Sequence, residues 1–156
     1  MAEKLLYPPT ARVSNQGAKF HFQSPTSFAT ARSLPLSFKY AWAGVSHTFR
    51  TQRNFRIHVF VGTLAITLGL FLGLSGVEMA AVTLTSALVM ILELMNTAIE
   101  AVVDLTVGCT YHRLAKTAKD CAAGMVLLSA IAALAVAAMV LLPPLSTWLQ
   151  FSLLEF

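Results

Sequence analysis

Residues 79–105 read MAAVTLTSALVMILELMNTAIEAVVDL. From Met79 to Leu92 there is no charge, and beyond that point the apolar period of a helix persists although Glu93, Glu100 and Asp104 interrupt it. A helix needs about 20 apolar residues to cross the hydrocarbon core of a bilayer, so this run is a spanning helix with acids in its lower half. An ionised acid in such a helix costs about 2.5 to 3.5 kcal/mol on insertion scales, so these groups face a protein interior or water and serve function, or else sit at the interface and pair with Lys116 or Lys119 to position the helix, a role for which Asp104, nearest the helix end, is the best candidate. Glu93, Asn96, Glu100 and Asp104 follow one another at steps of three, four and four, which places three carboxylates and an amide on one helical stripe.

Working outward, Ile57–Val77 is a second apolar block in which only His58 could carry charge, and Cys121–Leu142 is a third, rich in Ala, Leu and Val. Pro143 and Pro144 lack amide donors and are expected to end that third helix. The chain is 56% hydrophobic and 12% charged, where a soluble domain is nearer 45–50% and 25%. The expected fold is therefore an all-α integral membrane protein with three transmembrane helices, over residues 57–77, 79–104 and 118–142. Residues 36–55 carry aromatics and cations at helical spacing and are expected to form an N-terminal interfacial amphipathic helix, with residues 36–145 as one membrane domain. Residues 1–35 read as a polar, disordered cytoplasmic tail and not as a secretory signal peptide, and residues 146–156 as a short C-terminal tail.

Eight Lys or Arg precede Ile57 against one acid, Glu3, and Arg113, Lys116 and Lys119 occupy the segment between the second and third spans. The turn at 75–78 and the tail after Pro144 have none. Basic segments stay cytoplasmic, so the N-terminus and the acidic stripe face the cytoplasm. The net charge of +4 borders apolar helices without forming a basic domain, which favours anionic lipid head groups over nucleic acid. Cys109 and Cys121 fall on the same reducing side and are expected to hold neither a disulfide nor a metal. Gly62, Gly69, Gly73 and Gly76 share a face of the first span and point to close helix packing.

His112, Lys116, Lys119 and Asp120 recur on one side of the third helix and are expected to face the acidic stripe. A carboxylate pair can hold Mg2+, Mg2+ binds phosphate oxygens, and a nearby Lys neutralises what remains of a triphosphate, a combination that points to a nucleotide. No GxxxxGK[ST] and no GxGxxG is present, so the phosphate site is built otherwise. Two other readings stand beside a nucleotide enzyme: an ion- or proton-conducting helper, and a non-catalytic membrane scaffold. A conducting path needs polar groups across the whole bilayer, whereas the halves of the spans nearer residues 75–78 hold only Thr and Ser as relief.

Taken together, FKYAWAG at 38–44, RNFRIH at 53–58, ELMNTAIEAVVDL at 93–105 and YHRLAKTAKDCAAG at 111–124 closely resemble the prokaryotic diacylglycerol kinase family, which includes the undecaprenol kinases. The resemblance covers residues 36–142 in order, and RNFRIH looks more like the undecaprenol kinase branch. It implies a homotrimer in the bacterial inner membrane whose active sites are shared between neighbouring subunits at the cytoplasmic face. The reaction implied is transfer of the ATP γ-phosphate to the hydroxyl of a membrane lipid alcohol, diacylglycerol or undecaprenol. By the same resemblance Glu93 is the catalytic base, Asn96 supports it, and Glu100 binds the Mg2+ that carries ATP. Tyr40, Tyr111, His112, Lys119 and Asp120 would contact the nucleotide. Gln52 departs from the pattern, because the family usually has a second metal-binding Glu there; its amide oxygen can still coordinate Mg2+ but brings no negative charge.

Overall fold

In the computed structural model, which describes residues 33–154, four helices follow one another: α1 (Leu34–Thr51), α2 (Arg53–Phe71), α3 (Gly76–Val107) and α4 (Arg113–Leu154). The polar N-terminal stretch expected at 1–35 lies outside the described residues up to position 32, and Leu34 and Pro35 already belong to α1. α2, α3 and α4 are long and apolar enough to cross a membrane, so the protein is an all-α, three-span membrane protein. α3 packs against both α2 and α4, whereas α2 and α4 barely meet, and α1 lies on α2 and α3.

α1 is amphipathic and leaves Leu34, Phe38, Tyr40, Trp42 and Phe49 exposed, the group of side chains that a head-group layer accommodates. It stops at Thr51, earlier than residue 55, because Gln52 takes an extended backbone (φ −97°, ψ 116°) and α2 begins at Arg53. Two contacts fix this corner. The Arg56 guanidinium donates to the carbonyls of Phe49 and Arg50 at 3.2 and 3.1 Å, supplying donors that the last turn of α1 lacks. Phe49 and Phe55 meet edge to face, with ring centroids 6.4 Å apart, and Phe55 is fully enclosed.

The turn between α2 and α3 comes at residues 72–75, not 75–78. Ser75 and Glu78 form a reciprocal capping box: Ser75 Oγ accepts from the Glu78 amide, and the Glu78 carboxylate accepts from the Ser75 amide at 2.8 Å. Glu78 is thus the first-turn acid of α3. The four glycines do not share one helix face. Gly62 and Gly69 are buried in α2, while Gly73 sits in the turn at φ 69° and Gly76 opens α3. A Cβ on Gly62 would lie 3.2 Å from Ser86 Cβ, so the small residue is what lets α2 and α3 approach.

Pro143 and Pro144 do not end the third span; α4 runs through them to Leu154. Proline removes the donors that would bond one turn back, but its own φ is helical and its carbonyl still accepts. Ser146 Oγ and Thr147 Oγ1 both donate to the Pro143 carbonyl, at 2.8 and 3.1 Å, and Trp148 packs edge to face on Phe71 of α2. These contacts carry the helix past the proline pair, so residues 146–154 are helical and not an irregular tail.

Replacing Gly62 by Leu should lower stability by about 1–3 kcal/mol, because the α2–α3 contact has no room for a side chain. Gly124→Leu, at a helical position where an added Cβ meets nothing within 4 Å, is the control and should stay near wild type. Thermal unfolding in detergent micelles checks this; equal losses for the two variants would remove the packing role of Gly62.

Candidate functional site

α3 carries the acidic stripe from the interior to the surface. Counting about 20 spanning residues from the capping box at Ser75 brings the chain to the neighbourhood of Asn96, so Glu93 lies just inside the apolar layer and Glu100 and Asp104 lie at or beyond its edge. Burial follows the same gradient: Glu93 is 2% and Asn96 7% exposed, Glu100 is half-buried and Asp104 is exposed.

The corner at Gln52 closes over this stripe. Asn96 Nδ2 donates to Glu100 Oε1 at 3.1 Å and Gln52 Nε2 donates to Glu100 Oε2 at 3.5 Å, so each oxygen of one carboxylate meets an amide. Gln52, Asn96 and Glu100 are therefore one cluster, drawn from the α1–α2 break and from α3. Above it in the apolar layer, His58 of α2 lies within electrostatic reach of Glu93. Reading residues one at a time missed His58, since a single histidine near a helix end carries no spacing signal. The usable signal was its partner: Glu93 needs a polar neighbour at its depth, and His58 is the residue of the neighbouring apolar block that could carry charge.

A second cluster gathers where α3 turns into α4. Asp104, Tyr111, His112, Lys116, Lys119 and Asp120 line an open pocket of about 530 Å3. Lys119 Nζ meets Asp104 Oδ1 at 2.5 Å, and Lys116 pairs with Asp120 one turn along its own helix. The α4 cations thus do not face the whole acidic stripe. Lys119 alone closes on its outermost acid, because it lies near the start of α4, level with the end of α3. Such exposed pairs contribute at most about 1 kcal/mol each, so both lysines can exchange these partners for a phosphate at little cost.

The two clusters sit one helical turn apart on α3, Glu100 to Asp104, or about 6 Å along the axis. Tyr40 belongs to neither. It is 51% exposed on α1, three turns before Gln52, and α1 does not pack on α4. Tyr111 is 77% exposed at the pocket rim.

The donor set was compared with what a metal requires. Among the described residues no three His, Cys, Asp or Glu side chains form a metal-holding group. Mg2+ does not need one, since it binds through one or two carboxylates and completes its shell with water and phosphate oxygens. Glu100 would supply the carboxylate and Gln52, turned about its amide, an oxygen. Asn96 Oδ1 is buried without a hydrogen-bond partner, an arrangement that costs about 1–3 kcal/mol in a finished core and marks an acceptor available to a cation or donor. The oxygen-only set fits Mg2+ and does not fit a soft metal.

Comparison with known proteins agrees with this architecture. The sequence model of the prokaryotic diacylglycerol kinase family matches residues 39–141. A diacylglycerol kinase of Synechocystis sp. is 57% identical over 141 residues, covering 88% of this chain and 80% of the relative. The undecaprenol kinase of Bacillus subtilis is 38% identical over 109 residues, 70% of this chain and 88% of its own length. The diacylglycerol kinase of Escherichia coli K12 is 34% identical over 94 residues, 60% and 76% of the two chains. The matched stretch contains the Gln52 corner, the stripe on α3 and the α4 pocket alike, and the chain belongs to the prokaryotic diacylglycerol kinase family, membrane-embedded lipid kinases.

Proposed function

We propose that this protein transfers the γ-phosphate of ATP to the hydroxyl of a membrane lipid alcohol, diacylglycerol or undecaprenol, at the cytoplasmic face of a bacterial inner membrane. The observation that carries this reading is the stripe of Glu93, Asn96 and Glu100, which runs from the apolar layer to its edge and is met there by Gln52. A lipid hydroxyl arrives from hydrocarbon and ATP from water, so transfer requires polar groups at that depth. Relatives bearing both kinase names support the substrate class.

In this reading Glu93 accepts the proton of the lipid hydroxyl as its oxygen attacks the γ-phosphorus. A new P–O bond forms in line with the one that breaks, ADP leaves, and no phosphoenzyme is needed. Glu100 and Gln52 would hold Mg2+, which when bound neutralises charge on the β- and γ-phosphate oxygens. Asn96 holds the Glu100 carboxylate in place through its amide, leaving Oδ1 to the incoming substrate. Lys119, drawn from Asp104, balances charge on the nucleotide, with Tyr111, His112 and Asp120 beside it in the pocket. Tyr40 stands apart from that pocket within one chain, which supports a site completed between copies in a homotrimer.

Glu93→Gln should reduce lipid phosphorylation about 10²–10⁴-fold with the oligomer unchanged on gel filtration, the scale of a lost general base. A variant retaining most of its rate would refute that role. Gln52→Glu adds a charge to the metal set and should lower the Mg2+ concentration for half-maximal activity on the order of tenfold. An unchanged Mg2+ requirement would remove Gln52 from the metal site. Both variants are read as transfer from radiolabelled ATP to diacylglycerol and to undecaprenol in micelles; label in neither lipid with the wild-type chain would overturn the lipid kinase reading for this protein.

A further inference from the structure

Two contacts fix how α2 lies along α3. At the cytoplasmic end Gln52 donates to Glu100 at 3.5 Å, and farther in Gly62 comes so close to α3 that an added Cβ would lie 3.2 Å from Ser86 Cβ. Glu93 is two helical turns from Ser86 and two from Glu100, so it stands midway between the contacts and on the same face of α3. His58 is one turn from Gly62 and lies near the midpoint on the α2 side. Counted inward from the Gln52–Glu100 contact, His58 is about 9 Å and Glu93 about 10 Å into the membrane. The two side chains therefore share one depth, on helix faces already in contact, and lie within electrostatic reach of each other.

Among the described residues, no other group at that depth can exchange a proton with Glu93. Its carboxylate is enclosed and forms no hydrogen bond or ion pair among them. On its own helix, Asn96 Oδ1 accepts a hydrogen bond but not a proton, and Glu100 lies two turns away with each oxygen held by an amide. α4 offers nothing: residues 122–154 contain no ionisable side chain, and an apolar cleft of about 180 Å3 separates α4 from α2 at this level. On α1, His47 and Arg50 are exposed, and the Arg56 guanidinium of α2 is committed to α1 carbonyls. His58 is half-buried and lines the cleft, so it has an opening that Glu93 lacks.

We propose that Glu93 and His58 work as a dyad, in which His58 takes from Glu93 the proton that Glu93 has taken from the lipid hydroxyl. The proposal rests on the kinase reading for the first of these transfers. The hydroxyl O–H bond breaks as its oxygen attacks phosphorus, and the proton goes to a Glu93 oxygen. That new O–H bond breaks in turn, and the proton goes to the free nitrogen of the neutral imidazole. The imidazolium gives it to water once the products have left, so each turnover releases one proton and leaves both side chains as they began. Histidine suits the second place because its charge changes near neutral pH. His58 thus acts through Glu93 and not on the phosphate.

The test uses the full-length chain in micelles. His58→Gln keeps a polar side chain of similar bulk that cannot take the proton. It should lower kcat for phosphorylation of diacylglycerol and undecaprenol about 10²-fold, the lower end of what a positioned acid–base group contributes, with KM for ATP and for lipid little changed. The wild type needs Glu93 ionised and His58 neutral, so its kcat should fall toward acid pH through two protonations and that of His58→Gln through one. Added imidazole should restore part of the activity of His58→Ala and none of that of Glu93→Gln. Wild-type kcat and an unchanged pH profile in His58→Gln would overturn the proposal, as would the absence of imidazole rescue in His58→Ala. A further readout needs no turnover: the nitrogen NMR resonances of the His58 ring, identified by their loss in His58→Gln, should move in Glu93→Gln at constant pH. Unmoved resonances would break the dyad whether or not the chain transfers phosphate, whereas resonances that move in a chain without transfer would sink the kinase reading and leave the pair standing.

Discussion

A carboxylate in a membrane helix has to find polar company at its own depth, and in this chain Glu100 finds it in two amides from different elements. One comes from its own helix, at Asn96. The other arrives only because the backbone breaks at Gln52, between a helix suited to the interface and one suited to the interior of the bilayer. The rest of the site depends on that break. Were α1 and α2 continuous, Gln52 would be one more residue of a straight helix and would have no fixed relation to α3. The Arg56 cap and the Phe49–Phe55 contact hold the corner, so residues with no chemical role determine where a polar one can reach.

α3 organises everything else. It packs on both other spans, carries all three acids of the stripe, and changes environment along its length from hydrocarbon to water. That gradient gives each acid different surroundings. Glu93 is enclosed and stands beside His58 and the apolar cleft, Glu100 sits in the amide cluster, and Asp104 reaches the basic residues of α4. A lipid kinase needs this order, because its two substrates come from different phases and meet in a thin layer.

Much of this was legible in the residues themselves. The three apolar runs, the steps between Glu93, Asn96 and Glu100, and the basic segments follow from periodicity and composition, since they are properties of single helices. What could not be read was how helices meet. Lys119 meets the stripe only at Asp104 and Lys116 pairs with Asp120 of its own helix, because their reach depends on how far α4 overlaps the end of α3. The break at Gln52 carries no Pro or Gly to mark it, and the arginine that caps it lies one turn later. Ser75–Glu78 was a visible capping box lying inside an expected turn, and the proline pair was expected to stop a helix that downstream hydroxyls instead continue.

The contact between Gln52 and Glu100 is most directly tested by the affinity of Mn2+·ATP for the protein in micelles, followed by electron paramagnetic resonance with Mn2+ standing in for Mg2+. The measurement would compare the wild type, Gln52→Ala, Glu100→Ala and the double variant. If both side chains hold one metal ion, their losses are not additive, and the double variant binds no more weakly than Glu100→Ala alone. Losses that simply add would mean that the two residues act independently, and the corner at Gln52 would then have no part in the site.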